Sequence, residues 1–123
     1  MRKPARLAAA AATIAILTTS AMLTPTVAGA SEADMIKKGQ EVAFDRKKGN
    51  CLACHMIKDG VSPGDIGPPL VAMKARFQDP AKLREQIWDP QIANPATRMP
   101  PFGKHKILSE QEVDDIVAFL LTL

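Results

Sequence analysis

Three features of the 123-residue sequence predict an all-α fold. No run alternates apolar and polar residues at period two, so no sheet is expected. Beyond residue 30, every proline falls between Pro63 and Pro101, which marks a loop-rich middle and leaves two proline-free ends. Both ends carry apolar residues at helical spacing.

Residues 1–30 read as an export signal, outside the fold. A cationic start, Met1 to Arg6, precedes an apolar run from Leu7 to Leu23 and a break at Thr24-Pro25-Thr26. Ala28-Gly29-Ala30 then supplies the small-x-small pattern that signal peptidase reads. Cleavage is expected between Ala30 and Ser31, with Ala28/Gly29 as the alternative. Thr13, Thr18, Thr19 and Ser20 dilute the apolar run, which speaks against a retained membrane anchor. The expected mature domain is 31–123, exported to the periplasm.

Charge narrows the function classes. The chain has 16 Lys+Arg, 13 Asp+Glu and a pI near 9.0. Arg2, Lys3 and Arg6 account for the surplus; beyond them, 13 basic residues face 13 acidic ones. With no Tyr, one Trp and four Phe, neither a phosphate-binding stripe nor a base-stacking platform is suggested. Two Cys exclude a disulfide scaffold and a four-cysteine zinc site. An apolar core alone leaves so small a mature domain marginally stable, so a staple such as a bound cofactor is expected.

The first helix is expected from Glu32 to about Asp45, with Met35, Ile36, Gly39, Val42 and Ala43 on one face. Gly39 and Ala43 form a small-residue notch. Since Gly costs about 1 kcal/mol in a helix, close packing must be its reason. A short helical turn is expected within Leu70–Phe77. Asp79-Pro80 reads as an N-cap and first helical position for a third helix, Ala81–Trp88, with Leu83, Ile87 and Trp88 inward. Ser109-Glu-Gln-Glu112 is a capping-box pattern opening the last helix. Its Val113, Ile116, Val117, Leu120 and Leu121 share one apolar face.

The chemistry resides in Cys51-Leu52-Ala53-Cys54-His55, the CxxCH pattern of covalent haem attachment. On a helical turn, positions i and i+3 share a face and i+4 lies beside them. Two thiols can then add to the two vinyl groups on one porphyrin edge, with the imidazole beneath the iron. A thioredoxin-like pair would sit at a strand end, and no strand is expected. A zinc site would need His105, at a spacing unlike common fingers.

The sixth iron ligand has several candidates. Met56 adjoins His55 and cannot reach the opposite face. Met35 and Met73 have apolar neighbours at helical spacing, where Met is usually core filler. Met99 lies in Thr97-Arg98-Met99-Pro100-Pro101-Phe102-Gly103, a loop stiffened by proline. Met99 is the expected ligand, with His105 or an open position as alternatives. A thioether raises the reduction potential and closes the coordination sphere, favouring electron transfer.

The order of N-terminal helix, CxxCH, Gly67-Pro68-Pro69-Leu70, Met99 loop and C-terminal helix resembles the class I cytochromes c. That resemblance implies a helical fold around one haem c, with the Pro68 carbonyl bonded to His55 Nδ1–H. Lys48 to His55, Leu83 to Asp89 and Met99 to Gly103 together look like the SoxX family of sulfur-oxidation cytochrome subunits. The linker Phe44–Asn50 departs from ordinary class I cytochromes, being longer and more basic. The SoxX resemblance implies a heterodimer with a SoxA-like haem subunit and service to a SoxYZ-like carrier. Within such a complex, an L-cysteine S-thiosulfotransferase, thiosulfate is oxidatively joined to a carrier cysteine on the partner's haem. This chain would pass the two released electrons, singly, to a small acceptor cytochrome. A free-standing periplasmic electron carrier is the alternative. Trp88 reads as core or interface, or as a neighbour of the porphyrin. Arg98, Lys104 and Lys106, in an acid-free stretch from Pro90 to Ser109, read as a positive collar or an ordinary solvated loop.

Overall fold

Capping chemistry sets both ends of the described chain, which runs over residues 31–123 of a computed structural model. The expected export signal, 1–30, lies outside the described residues. The elements are α1 (Glu32–Phe44), a 3-10 turn (Cys51–Ala53), α2 (Met73–Arg76), α3 (Pro80–Trp88) and α4 (Glu110–Leu120). Among the described residues there is no strand, only one isolated parallel bridge between Ile57 and Leu70. None of the described helices is long and apolar enough to cross a membrane.

Ser109 caps α4 as expected, accepting from the Glu112 amide while the Glu112 carboxylate accepts from the Ser109 amide at 2.9 Å. α1 opens on a second capping box, Ser31 with Asp34, which the sequence reading had not singled out. Asp79 accepts from the Ala81 amide at 2.9 Å, with Pro80 at the start of α3. Each satisfied cap contributes about 1 kcal/mol.

α1 and α4 cross where Gly39 meets the backbone of Asp115 and Ile116. Ala43 is fully buried one turn further on, and Phe44 meets Phe119 edge to face at 5.9 Å. Val113, Ile116, Val117 and Leu120 are buried, as their spacing predicts. The face is wider than expected, because Phe119 and Asp115 are buried too and Leu121 is only half-buried. Asp115 is covered because its own backbone is what Gly39 touches; its carboxylate accepts from Gln111 Nε2 at 2.9 Å. α3 adds Leu83 and Ile87 to the same core and is tied to α4 by Arg84 Nε donating to Asp114 Oδ1 at 2.6 Å. Met73 is buried at the start of α2, and its amide donates to the Leu123 carbonyl at 3.0 Å.

At position 39 an alanine Cβ would overlap the Asp115 carbonyl, which is backbone and cannot swing aside. Alanine recovers about 1 kcal/mol of helix propensity, whereas forcing a methyl into a packed contact costs up to about 3 kcal/mol. Gly39→Ala is expected to be net destabilising, read as a lower urea midpoint of the haem-loaded protein.

Candidate haem site

The linker between α1 and the CxxCH motif folds as a compact turn around Asp45. Its carboxylate accepts from the Lys47 amide at 2.8 Å, and its carbonyl from the Lys48 and Asn50 amides at 3.0 Å. Gly49 is buried against α1, where a Cβ would stand 2.7 Å from the Val42 carbonyl oxygen. Asn50 takes a left-handed conformation, φ 46°, which Asn tolerates better than most residues. The Lys48 ammonium pairs with Glu112 at the start of α4, so the linker is tied to both terminal helices. That pairing and the Ser109 amide hold the Glu112 carboxyl below the usual carboxylate range.

The expected helical turn under CxxCH is a 3-10 turn, with Cys54 and His55 beyond its end. The His55 amide still donates to the Cys51 carbonyl at 2.9 Å, keeping the i, i+4 relation. Neither Cys51 nor Cys54 is in a disulfide, and both are half-buried. Burial pushes the Cys51 thiol up to about 11. A thioredoxin-like pair sits at a strand end, and among the described residues the motif adjoins no strand. Among the described residues, no group of three or more His, Cys, Asp or Glu side chains is placed to hold a metal ion, so the zinc alternative has no geometric support.

The segment after His55 folds back over the motif. Gly64 donates its amide to the Leu52 carbonyl at 2.7 Å, Gly67 to Cys54 at 2.8 Å and Leu70 to Met56 at 2.9 Å. This brings the Pro68 carbonyl 2.7 Å from His55 Nδ1. A carbonyl only accepts, so Nδ1 carries the proton and Nε2 keeps the lone pair. Gly67 lies against the imidazole so closely that a Cβ there would overlap the ring.

His55 and Met99 border the same two cavities. The first, of about 310 Å³, also meets Cys51, Cys54, Pro100, Phe102 and Ile107. The second, of about 280 Å³, continues past Pro68, Leu70, Met73, Phe77, Leu83, Ile87 and Leu120. Of the other ligand candidates, Met56 is exposed, Met35 borders a separate groove between α1, α3 and α4, and His105 is exposed and borders neither cavity. Met73 borders the second cavity but is buried, with its sulfur 3.4 Å from an Arg76 guanidinium nitrogen.

The structure redistributes the basic residues. Arg46, Lys47 and Lys48 wall the first cavity, which the sequence reading missed; their run inside the unusual linker was the available signal. Lys104, read earlier as part of a collar, is paired with Asp89 at 2.7 Å. Trp88 is half-buried, against Gly103 on its ring and with the Arg84 guanidinium 5.0 Å from the ring centroid.

A family model described as Cytochrome c matches residues 36–123. The chain belongs to the cytochrome c family. The solved structure titled "Crystal structure of SoxXA from P. pantotrophus" is similar at 30% identity and a TM-score of 0.63, over 70% of this chain and 79% of that one. An uncharacterized lipoprotein of Aquifex aeolicus (strain VF5) is 35% identical over 91 residues, which cover 70% of this chain and 44% of that protein. The chain thus spans less than half the length of this curated relative. It is a class I cytochrome c close to SoxX, and its cofactor is covalently attached haem c. The residues fit that group: two thiols outside any disulfide, an oriented imidazole and a thioether border two cavities that are both largely apolar.

Gly67→Ala is expected to push the imidazole off the Pro68 carbonyl. In the haem-loaded protein the His55 Nδ1 proton should then exchange with solvent faster, read by proton NMR.

Proposed function

We propose that this cytochrome c is the electron-transfer subunit of a thiosulfate-oxidising complex. Haem c, when bound, supplies a one-electron redox centre. The chain's own residues then have distinct tasks. Cys51 and Cys54 form the thioethers that keep the group from dissociating. His55, its Nδ1 proton held by Pro68, would offer Nε2 to the iron, and the Met99 sulfur would be its second protein ligand. The observation that carries the subunit reading is the similarity to the SoxXA structure, and the ligand pair is supported by His55 and Met99 bordering the same two cavities. A His/Met pair favours the ferrous state and leaves no open position for oxygen or peroxide.

With both cysteines committed to the haem, the chain keeps no thiol to act on a sulfur substrate. The proposed division of labour follows from that: a SoxA-like partner subunit holds the haem at which thiosulfate is joined to a SoxYZ-like carrier, and this chain relays the electrons to a small cytochrome. The similarity to the SoxXA structure supports the pairing. Residues 1–30 would direct the chain to the periplasm, leaving 31–123 as the mature subunit.

Tagged protein recovered from its native host grown on thiosulfate should bring down a second, larger haem-staining band in equal stoichiometry. A single small haem band would return the chain to a solitary electron carrier. Met99→Ala should keep the haem attached while lowering its reduction potential by on the order of 0.1 V; an unchanged potential and spectrum would remove Met99 from the iron.

A further inference from the structure

The stretch Pro90–Ser109, which contains Met99, has no acidic residue of its own. Its one recorded ion pair reaches outside the stretch: Lys104 Nζ donates to Asp89 Oδ2 at 2.7 Å. Asp89 caps the C-terminal end of α3 and is 6% exposed. A carboxylate so withdrawn from water needs donors, and both oxygens have one, because the Gln91 amide donates to Oδ1 at 3.2 Å. The Lys104 bond holds the Asp89 carboxyl below the usual carboxylate range.

The same two segments are joined a second time through backbone. The Trp88 carbonyl accepts from the Gly103 and Lys104 amides, both at 3.2 Å, and Gly103 lies on the indole where a Cβ would overlap the ring. Lys104 is therefore tied to the end of α3 by its amide and its ammonium together. Between this anchor and Met99 stand Pro100 and Pro101, whose fixed φ angles leave little freedom to absorb movement. The far side of the anchor is firm, since Leu83 and Ile87 fix α3 in the core.

We propose that Asp89 and Lys104 are positioning residues for the Met99 thioether, clamping its loop to α3 so that the sulfur is held at the iron. The inference rests on Met99 being the axial ligand. With the Lys104 side chain half-exposed, the pair adds little to overall stability, so stability alone does not account for it. A charge-assisted hydrogen bond instead fixes one register of loop against helix.

The test uses the ferric, haem-loaded protein with imidazole as the probe competing for the thioether's position. Lys104→Met and Asp89→Asn should each raise imidazole affinity roughly 5- to 10-fold, by enlarging the fraction of molecules with the loop displaced. Each should also weaken the far-red thioether-to-ferric charge-transfer band. Lys104→Arg should restore most of both. Ile116→Val, at the α1–α4 crossing, is the control that lowers overall stability without touching the clamp. Unchanged affinity in Lys104→Met, which alters a half-exposed side chain and is expected to fold, would overturn the proposal. An equal rise in Ile116→Val would overturn it too. Met99→Ala separates the two readings. If it leaves the band intact, the axial assignment fails; if it removes the band while the clamp variants behave as the parent, only the clamp fails.

Discussion

Direct contact between two helix backbones organises this small domain. At Gly39 no side chain separates α1 from the Asp115 carbonyl of α4, so the two terminal helices meet backbone to backbone. That closeness makes Ala43 fully buried and lets Phe44 reach Phe119. It also locates the site. α1 ends at Phe44, and Gly49 tucks the linker back against Val42, so Cys51 emerges next to the crossing. Lys48 reaches Glu112 in the first turn of α4, so the linker is held to that helix as well. A loop-rich middle can be tolerated because the ends are locked to each other.

What the middle lacks in regular structure it replaces with directed backbone hydrogen bonds. Residues 64–70 return two amides to carbonyls of the CxxCH segment and a third to Met56 just after it. The effect is to deliver one acceptor, the Pro68 carbonyl, to one imidazole nitrogen. Because a carbonyl cannot donate, this contact decides which tautomer His55 adopts and leaves the other nitrogen basic. The ring is held from two directions, by the Pro68 oxygen and by the face of Gly67. Across the cavities, the Met99 loop is held by a different method: proline stiffness, the Thr97 hydroxyl accepting from the Met99 amide at 3.2 Å, and the attachment of residues 103 and 104 to α3.

The helices were legible because their signals are local. The Ser109 box, the Asp79-Pro80 start and the four-residue spacing of Gly39 and Ala43 each need only a few neighbouring residues to be read. The CxxCH motif was legible for the same reason, since its chemistry lies within five positions. Less was visible where sequence-distant groups meet. Lys104 looked like a free surface charge, because its partner is 15 residues earlier on another element. Arg46, Lys47 and Lys48 looked like an anomaly of alignment, whereas they wall a cavity that also borders Met99, more than fifty residues later. Asp115 falls outside the apolar stripe by identity, yet it is buried because of what crosses over it rather than what it is. The 3-10 geometry at Cys51 depends on the turn that precedes it, which periodicity does not report.

The arrangement separates two demands that a redox site places on one small chain. Holding a cofactor permanently requires strong bonds, and these come from the thiols, on the side of the molecule tied to α1 and α4. Tuning its potential requires a weak ligand at a controlled position, because a thioether sulfur binds iron by far less than a covalent bond. A weak ligand on a free loop would be exchanged by any competing base. In the proposed arrangement the loop's restraint substitutes for ligand strength: prolines limit its internal freedom, and its far shoulder is fastened to α3 by one charged and two backbone hydrogen bonds. The ligand can then remain electronically weak, favouring the ferrous state, while the fold supplies the persistence that the iron–sulfur bond does not.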